Sequence, residues 1–175
     1  YLDRFMKTEL RSAPDVDGAV VSAAAVEDAF AGLEAKASKE TPPREMPGPT
    51  GESNRYLTHP RGRVLCLGPG AEMAQEQAER ARKIGCRALA VALGVTSGLD
   101  GVVSPEVLTQ FKGLDAVVSW SDEVETIRQA IAQREGPIIP LVGQANFEQW
   151  LLAEQHICID TTAAGGNAEI LGAAT

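Results

Sequence analysis

The residues that most resemble a chemical site are Gly68-Pro69-Gly70, because glycines between an apolar run and an amphipathic helix bring backbone amides against a phosphate. The run before them is Val64-Leu65-Cys66-Leu67, and the segment after them is alanine-rich. A dinucleotide-binding turn places a third glycine three residues after the second, and here that position is Met73. Such a turn also needs an acid near the end of the following strand to hold a ribose, where this sequence reads AVALGV. Glu72 falls in the first helical turn, so its carboxylate competes with any anionic ligand for the positive helix end. Gly68 and Gly70 therefore read as a degenerate turn with a structural role, and no cofactor-binding residue is assigned. The alternative is a nucleotide-binding enzyme or sensor that uses this turn.

No catalytic or metal-ligating residue emerges elsewhere. His59 and His156 are the only imidazoles and have no carboxylate or serine at motif spacing, so a strand-flanking His59 and a partly buried His156 are expected. Cys66, Cys86 and Cys158 make an odd count, without CxxC or zinc-pair spacing, and lie in or beside apolar, strand-like surroundings. They are expected to be reduced core thiols in a cytoplasmic protein. GxSxG, HExxH, P-loop lysine and EF-hand patterns do not occur. Trp120 and Trp150 are expected in the core. Arg61 and Arg63 flank the first apolar run, solvated by default but able to meet a phosphate or a partner's carboxylate.

The element that must position these groups is a β-α-β unit over Arg61 to Val91, the opening of a Rossmann-like, doubly wound, mostly parallel α/β sheet. Its helix aligns Ala71, Ala74, Ala78, Ala81 and Ile84, small enough for close approach to a sheet, and stops at Gly85. Glu76 with Arg80 and Glu79 with Lys83 are spaced for i,i+4 pairing on a solvated face. Ser104-Pro105 starts a second helix with Val107, Leu108 and Phe111 inward and Gly113 as its stop. Asp115 to Trp120 reads as a strand, and Asp122 with Glu125 as a capping box for a helix burying Val124, Ile127 and Ile131. Ile138 to Val142 is a further strand, which Pro140 puts at a sheet edge or strand end. A helix over Asn146 to Gln155 with Phe147, Trp150 and Leu151 inward, then a strand from His156 to Asp160, complete the series.

Four segments follow: an N-terminal helical segment (1–37), a Pro-rich linker with a possible edge strand (38–60), the Rossmann-like α/β domain (61–155), and a C-terminal strand and tail (156–175). The first carries an apolar stripe near Tyr1 to Leu10 and then a helix capped by Asp17 with Val26, Phe30, Leu33 and Ala37 at helical period. Since the stripe begins at Tyr1, the chain is expected to be a fragment of something longer. The linker holds four prolines between Ser38 and Pro49, and Arg55 to Thr58 is its candidate edge strand. The tail from Thr161 is small and glycine-containing, with Glu169 its only charge, so it must order against another surface if it orders at all.

At 175 residues, 44% hydrophobic and 23% charged, the composition is that of a globular chain able to bury a core without cross-links. The formal net charge of -8 disfavours nucleic acid and anionic membranes as partners. No apolar run approaches the roughly 20 residues of a membrane helix, and no signal peptide is recognised.

Two stretches go beyond generic pattern. Gly48-Pro49-Thr50-Gly51-Glu52-Ser53-Asn54, followed by Pro60-Arg61-Gly62-Arg63-Val64-Leu65-Cys66, resembles a GPTGE.N...PR..VLC segment of the long proline utilization A (PutA) enzymes. Asp160-Thr161-Thr162-Ala163-Ala164-Gly165-Gly166-Asn167-Ala168 is similar to the NTAAAGGNA motif of their C-termini, with Asp160 and Thr162 departing from it. The resemblance covers roughly Pro47 onward and implies the appended, non-catalytic domain of the aldehyde dehydrogenase superfamily found in long members. The parent chain would couple an FAD-dependent proline dehydrogenase to an NAD-dependent L-glutamate-γ-semialdehyde dehydrogenase. It would hold FAD and NAD itself, leaving none to this stretch. The implied partner is the aldehyde dehydrogenase module of the same chain, with Thr161, Thr162, Ala163, Ala164, Gly165, Gly166, Asn167 and Ala168 docking there to help seal a channelling cavity. Nothing here resembles the cysteine nucleophile loop, the glutamate base or the ribose-gripping lysine of aldehyde dehydrogenases. Self-association is left open.

Overall fold

The computed structural model describes residues 18–33, 42–143 and 145–160. In chain order these form α1 (Ala23–Ala31), β1 (Arg44–Met46), β2 (Glu52–Pro60), β3 (Arg63–Cys66), α2 (Gly70–Lys83), β4 (Arg87–Ala92) and β5 (Leu99–Asp100). Then come α3 (Pro105–Gln110), β6 (Ala116–Val118), α4 (Val124–Ala132), β7 (Leu141–Val142), a 3-10 turn (Glu148–Leu151) and β8 (Leu152–Asp160). Five strands build a parallel sheet in the order β5-β4-β3-β6-β7, and three build an antiparallel sheet in the order β1-β2-β8. The larger sheet is the Rossmann-type α/β arrangement expected from the β-α-β pattern.

Side-chain size assigns the two faces of the parallel sheet. Strand residues alternate between faces, so Val64, Cys66, Ala88, Ala90, Ala92, Ala116 and Val118 meet α2 on one side. There Ala74, Ala78 and Ala81 are completely buried, with Ala71 and Ile84 packed alongside, as the alanine stripe requires. The opposite face carries Leu65, Leu89, Val91 and Val117, and its larger side chains fill the wider gap to α1, α3 and α4 through Phe30, Leu108, Phe111 and Ile127. Helices on both faces make the sheet doubly wound.

Local signals fix some ends and miss others. Ser104 caps α3, its Oγ accepting from the Val107 N–H at 3.4 Å, with Pro105 in the first turn. Ser22 caps α1 in the same way from the Ala25 N–H at 3.1 Å; Asp17 and Ala37, expected at its ends, lie outside the described residues. No capping box forms at α4: its N-cap is Glu123 without a side-chain bond, and Glu125 pairs with Arg128 instead. The strands expected at Asp115 to Trp120 and Ile138 to Val142 contract to β6 and β7, with Pro140 just before the edge strand β7. The helix expected over Asn146 to Gln155 is a single 3-10 turn, because the chain from Leu152 onward is drawn into β8 against the full length of β2. The candidate edge strand Arg55 to Thr58 grows into β2, the central strand of its sheet, flanked by β1 and β8.

Candidate functional site

The Gly68-Pro69-Gly70 turn sits where a Rossmann-type sheet receives a ligand, at the C-terminal end of the first parallel strand, β3, beside β6 where strand order reverses. Gly68 and Gly70 both take positive φ, 84° and 76°, so glycine is needed for the turn itself. A Cβ at Gly68 would lie 2.6 Å from the Gly70 amide nitrogen and carbonyl oxygen, whereas one at Gly70 would meet nothing within 4 Å. The turn is locked from within the protein. Gln77, fully buried in α2, accepts the Gly68 N–H on Oε1 at 3.0 Å and donates Nε2–H to the Gly68 carbonyl at 3.3 Å.

The same carbonyl accepts the Trp120 N–H at 2.7 Å, and the Leu67 N–H reaches the Val118 carbonyl at 2.9 Å. β3 and β6 thus stay bonded past their ends, where open α/β sheets splay into a crevice. Pro69, the N-cap of α2, has no N–H to offer, and Glu72 occupies the first turn. After β4, where a ribose-holding acid is needed, Leu93 is approached by the chain's own Gly18, whose added Cβ would lie 2.6 Å from it. These residues match a pyrophosphate and ribose poorly: the Gly68 N–H is engaged by Gln77 and Pro69 has none, no acid ends β4, and the Glu72 carboxylate stands in the first turn of α2, whose own amides carry no side-chain cap.

Beside the turn lies a cluster that sequence reasoning missed. Arg80 stacks its guanidinium 4.6 Å from the Phe147 ring centroid and 5.9 Å from that of Trp120, and the two rings meet edge-on at 5.8 Å. Its Nε donates to Glu148 Oε1 at 2.7 Å and its Nη2 to the Ala145 carbonyl at 2.6 Å, while the foreseen i,i+4 contact with Glu76 is 3.3 Å. The hydrogen bond from Arg80 holds the Glu148 carboxyl below the ordinary carboxylate range, and that from Glu148 pushes the Arg80 guanidinium higher still. Arg80 is therefore a clamp between α2 and the 3-10 turn and not a member of a solvated face. Gln77 had a legible signal, as the one polar residue amid Ala74, Ala78 and Ala81. Glu148 had none, being 68 residues distant from Arg80.

The remaining candidates scatter. Burial pushes the Cys66 thiol far up and the Cys86 thiol up to about 11, as expected of core thiols. Cys158 is exposed on β8, contrary to expectation, because that strand lies outside both cores. His156 is likewise exposed rather than partly buried, and exposed His59 meets the Gln155 side chain at 3.1 Å across the β2–β8 ladder. Trp120 packs against the core as expected; Trp150 is 48% exposed because the 3-10 turn presents Phe147 and Leu151 inward in its place. Arg63 finds a carboxylate within the chain, Glu27 at 2.6 Å, and Arg61 bonds the Trp150 carbonyl at 2.9 Å. No group of three His, Cys, Asp or Glu side chains is placed to hold a metal among the described residues. Thr161 to Ala168 lie outside those residues.

The antiparallel sheet is the other unusual surface. Only Asn54 is buried among its described residues. Ile157 and Ile159 are 36% and 50% exposed, and the register places them on one face with Ser53, Arg55 and Leu57. β8 pairs with β2 on one side and has no strand on its other edge among the described residues. It ends at Asp160, immediately before the Thr161 to Ala168 stretch.

The chain is 34% identical over 147 residues to the bifunctional protein PutA of Salmonella typhimurium, a match covering 73% of this chain and 11% of that protein. The Escherichia coli protein of the same name is 31% identical over 145 residues with the same coverages, and that of Rhizobium meliloti 30% over 155 residues. Among solved structures, proline utilization A with proline bound in remote sites aligns with a TM-score of 0.43 and 25% identity, over 57% of this chain and 13% of that one. No protein-family model matches. The chain thus spans about a ninth of the length of the curated relatives it matches. No helix among the described residues is long and apolar enough to cross a membrane. With the two motif stretches at Gly48 to Cys66 and Asp160 to Ala168 and a Rossmann-type sheet between them, this sequence match makes the chain a homologue of the C-terminal region of the PutA proteins.

Proposed function

We propose that this chain is a non-catalytic domain of a cytoplasmic bifunctional proline dehydrogenase and L-glutamate-γ-semialdehyde dehydrogenase, docking on the aldehyde dehydrogenase module of the same polypeptide. The parent would hold FAD and NAD, and this domain would hold neither. Residues 61–155 act as the rigid body, and Thr161, Thr162, Ala163, Ala164, Gly165, Gly166, Asn167 and Ala168 form the docking tail that helps seal the channelling cavity. The supporting observation is the sheet face with Ile157 and Ile159 exposed on a strand that has no neighbouring strand on its outer edge among the described residues and that runs directly into that tail. An apolar edge strand left bare invites aggregation, so a soluble protein covers it, and a module of the same chain is present at high effective concentration.

The test is made in the parent enzyme. Removing residues 160–175, or introducing Ile157→Asp with Ile159→Asp, is expected to lower the coupled conversion of proline to glutamate severalfold and to expose semialdehyde to trapping by an external amine. The proline dehydrogenase half-reaction should be unchanged. Coupled rates and trapping equal to wild type in both variants reject the docking role.

A further inference from the structure

A groove of about 490 Å³ opens at the end of the parallel sheet opposite the Gly68–Gly70 turn, between the connections that enter β6 and β7. Arg61, Lys112 and Arg134 line it together with Asp115 and Glu135, and Ile138 on its wall is fully exposed. The Nε of Arg61 donates to the Trp150 carbonyl at 2.9 Å and that of Arg134 to the Phe111 carbonyl at 3.0 Å. Both guanidinium groups are thus held in place by backbone, and neither they nor Lys112 forms an ion pair among the described residues. Asp115 is already engaged, its Oδ2 accepting the Arg63 N–H at 2.7 Å. Elsewhere Arg55, Arg63, Arg80 and Arg128 each have a glutamate partner, while Arg44, Arg82 and Arg87 have no ion pair among the described residues. In a chain of net charge -8, two anchored guanidinium groups and a lysine, none of them in an ion pair among the described residues, outnumber the two carboxylates of this groove around an exposed isoleucine.

We infer that this groove receives an acidic polypeptide segment carrying an aliphatic side chain, supplied by the parent protein outside residues 1–175. This rests on the docking reading above and adds a second contact at the far end of the sheet. Fixed guanidinium forks take carboxylates in pairs of hydrogen bonds, and the lysine adds a point charge. The aliphatic residue covers Ile138, which orders the segment and excludes a purely ionic encounter. A polynucleotide is the poorer occupant, because its extended charge meets the whole acidic chain and not the groove alone.

Lys112 makes the proposal testable in the full-length protein. A water-soluble carbodiimide joins a lysine amine to a carboxylate in direct contact, forming an amide while the carbodiimide takes up the water lost. Peptide mapping is expected to find Lys112 joined to an Asp or Glu outside residues 1–175, in a yield that falls severalfold with Arg134→Glu plus Ile138→Asp. Lys112→Arg, which keeps the charge and removes the amine, should abolish that product. Lys112 joined only to Asp115 or Glu135, or to nothing while acetylation shows its amine to be reactive, overturns the groove contact. The two ideas separate cleanly: loss of coupling on deleting residues 160–175 with no Lys112 product leaves docking intact and removes the groove contact alone. A Lys112 product that persists in the Ile157→Asp, Ile159→Asp variant supports the groove as an independent contact.

Discussion

At the scale of single residues, Arg80 holds more of the structure together than its place on an exposed-looking helix face announces. It joins α2 to the 3-10 turn through Glu148 and the Ala145 carbonyl and stacks on Phe147, which is completely buried. Arg80→Ala is expected to cost about 1–2 kcal/mol in urea unfolding, the sum of a partly screened charged hydrogen bond and a cation–π contact. Arg80→Lys should recover little of it, because an ammonium cannot bridge carboxylate, carbonyl and ring from one plane. The Arg80–Glu148 pair also predicts a pH dependence. The folded state depresses the Glu148 pKa, so the stabilisation is present above the unfolded carboxylate's pKa and is lost as pH falls through the folded value. The difference in unfolding midpoint between wild type and Glu148→Gln should therefore be largest near neutrality and shrink as pH falls below the ordinary carboxylate range. A difference that grows on acidification would show that Glu148 is not stabilised as a carboxylate.

At the scale of elements, the two glycines of the first turn look alike in sequence and differ in what surrounds them. Both have positive φ, so alanine at either is strained by about 1 kcal/mol. At Gly68 the new methyl also strikes backbone at 2.6 Å, while at Gly70 it meets open space. Gly68→Ala should thus destabilise by a few kcal/mol and Gly70→Ala by about 1 kcal/mol, measured by chemical denaturation with Trp120 fluorescence reporting the adjacent loop. Gln77→Leu should cost about 1–3 kcal/mol, since it leaves the buried Gly68 N–H without an acceptor. Equal losses at the two glycines would refute the internally locked turn. This contrast also shows what was legible in the sequence. The β-α-β unit, its alanine stripe and the Ser104 cap are local patterns, each enforced by neighbours in the chain. β2 and β8 are read only in part from the sequence, as Arg55 to Thr58 and His156 to Asp160; their full lengths exist because residues about 100 apart pair in register, and the same pairing cut the expected helix at Asn146 to Gln155 down to one turn. Signals of that range are invisible to a window of one element.

At the scale of the whole molecule, charge is sorted along the strand axis. Glu72, Glu106 and Glu125 stand in the first turns of α2, α3 and α4, with Asp100 at the end of β5 and Asp122 and Glu123 just before α4. Arg82, Lys83, Lys112 and Arg134 stand at or just beyond the helix C-termini, with Arg63 and Arg87 opening β3 and β4, and Asp115 and Glu135 are the acids among them. Helix dipoles favour this sorting, and it has a consequence for ligands. The edge at which a Rossmann-type sheet would accept a dinucleotide is its acidic edge, so a pyrophosphate meets repulsion on approach and, at Gly68, an N–H already bonded to Gln77. Calorimetric titration of the chain with NAD, NADP and ATP is accordingly expected to give no saturable heat up to millimolar ligand, at low and at physiological salt. A micromolar affinity abolished by Gly70→Ala, a substitution with room for its methyl group, would mean that the turn still grips phosphate, and the sensor or enzyme reading would replace the docking one. The comparison of the two salt conditions decides most: if charge alone kept the dinucleotide away, added salt would raise binding, whereas a turn closed by its own hydrogen bonds at Gly68 stays silent at both ionic strengths.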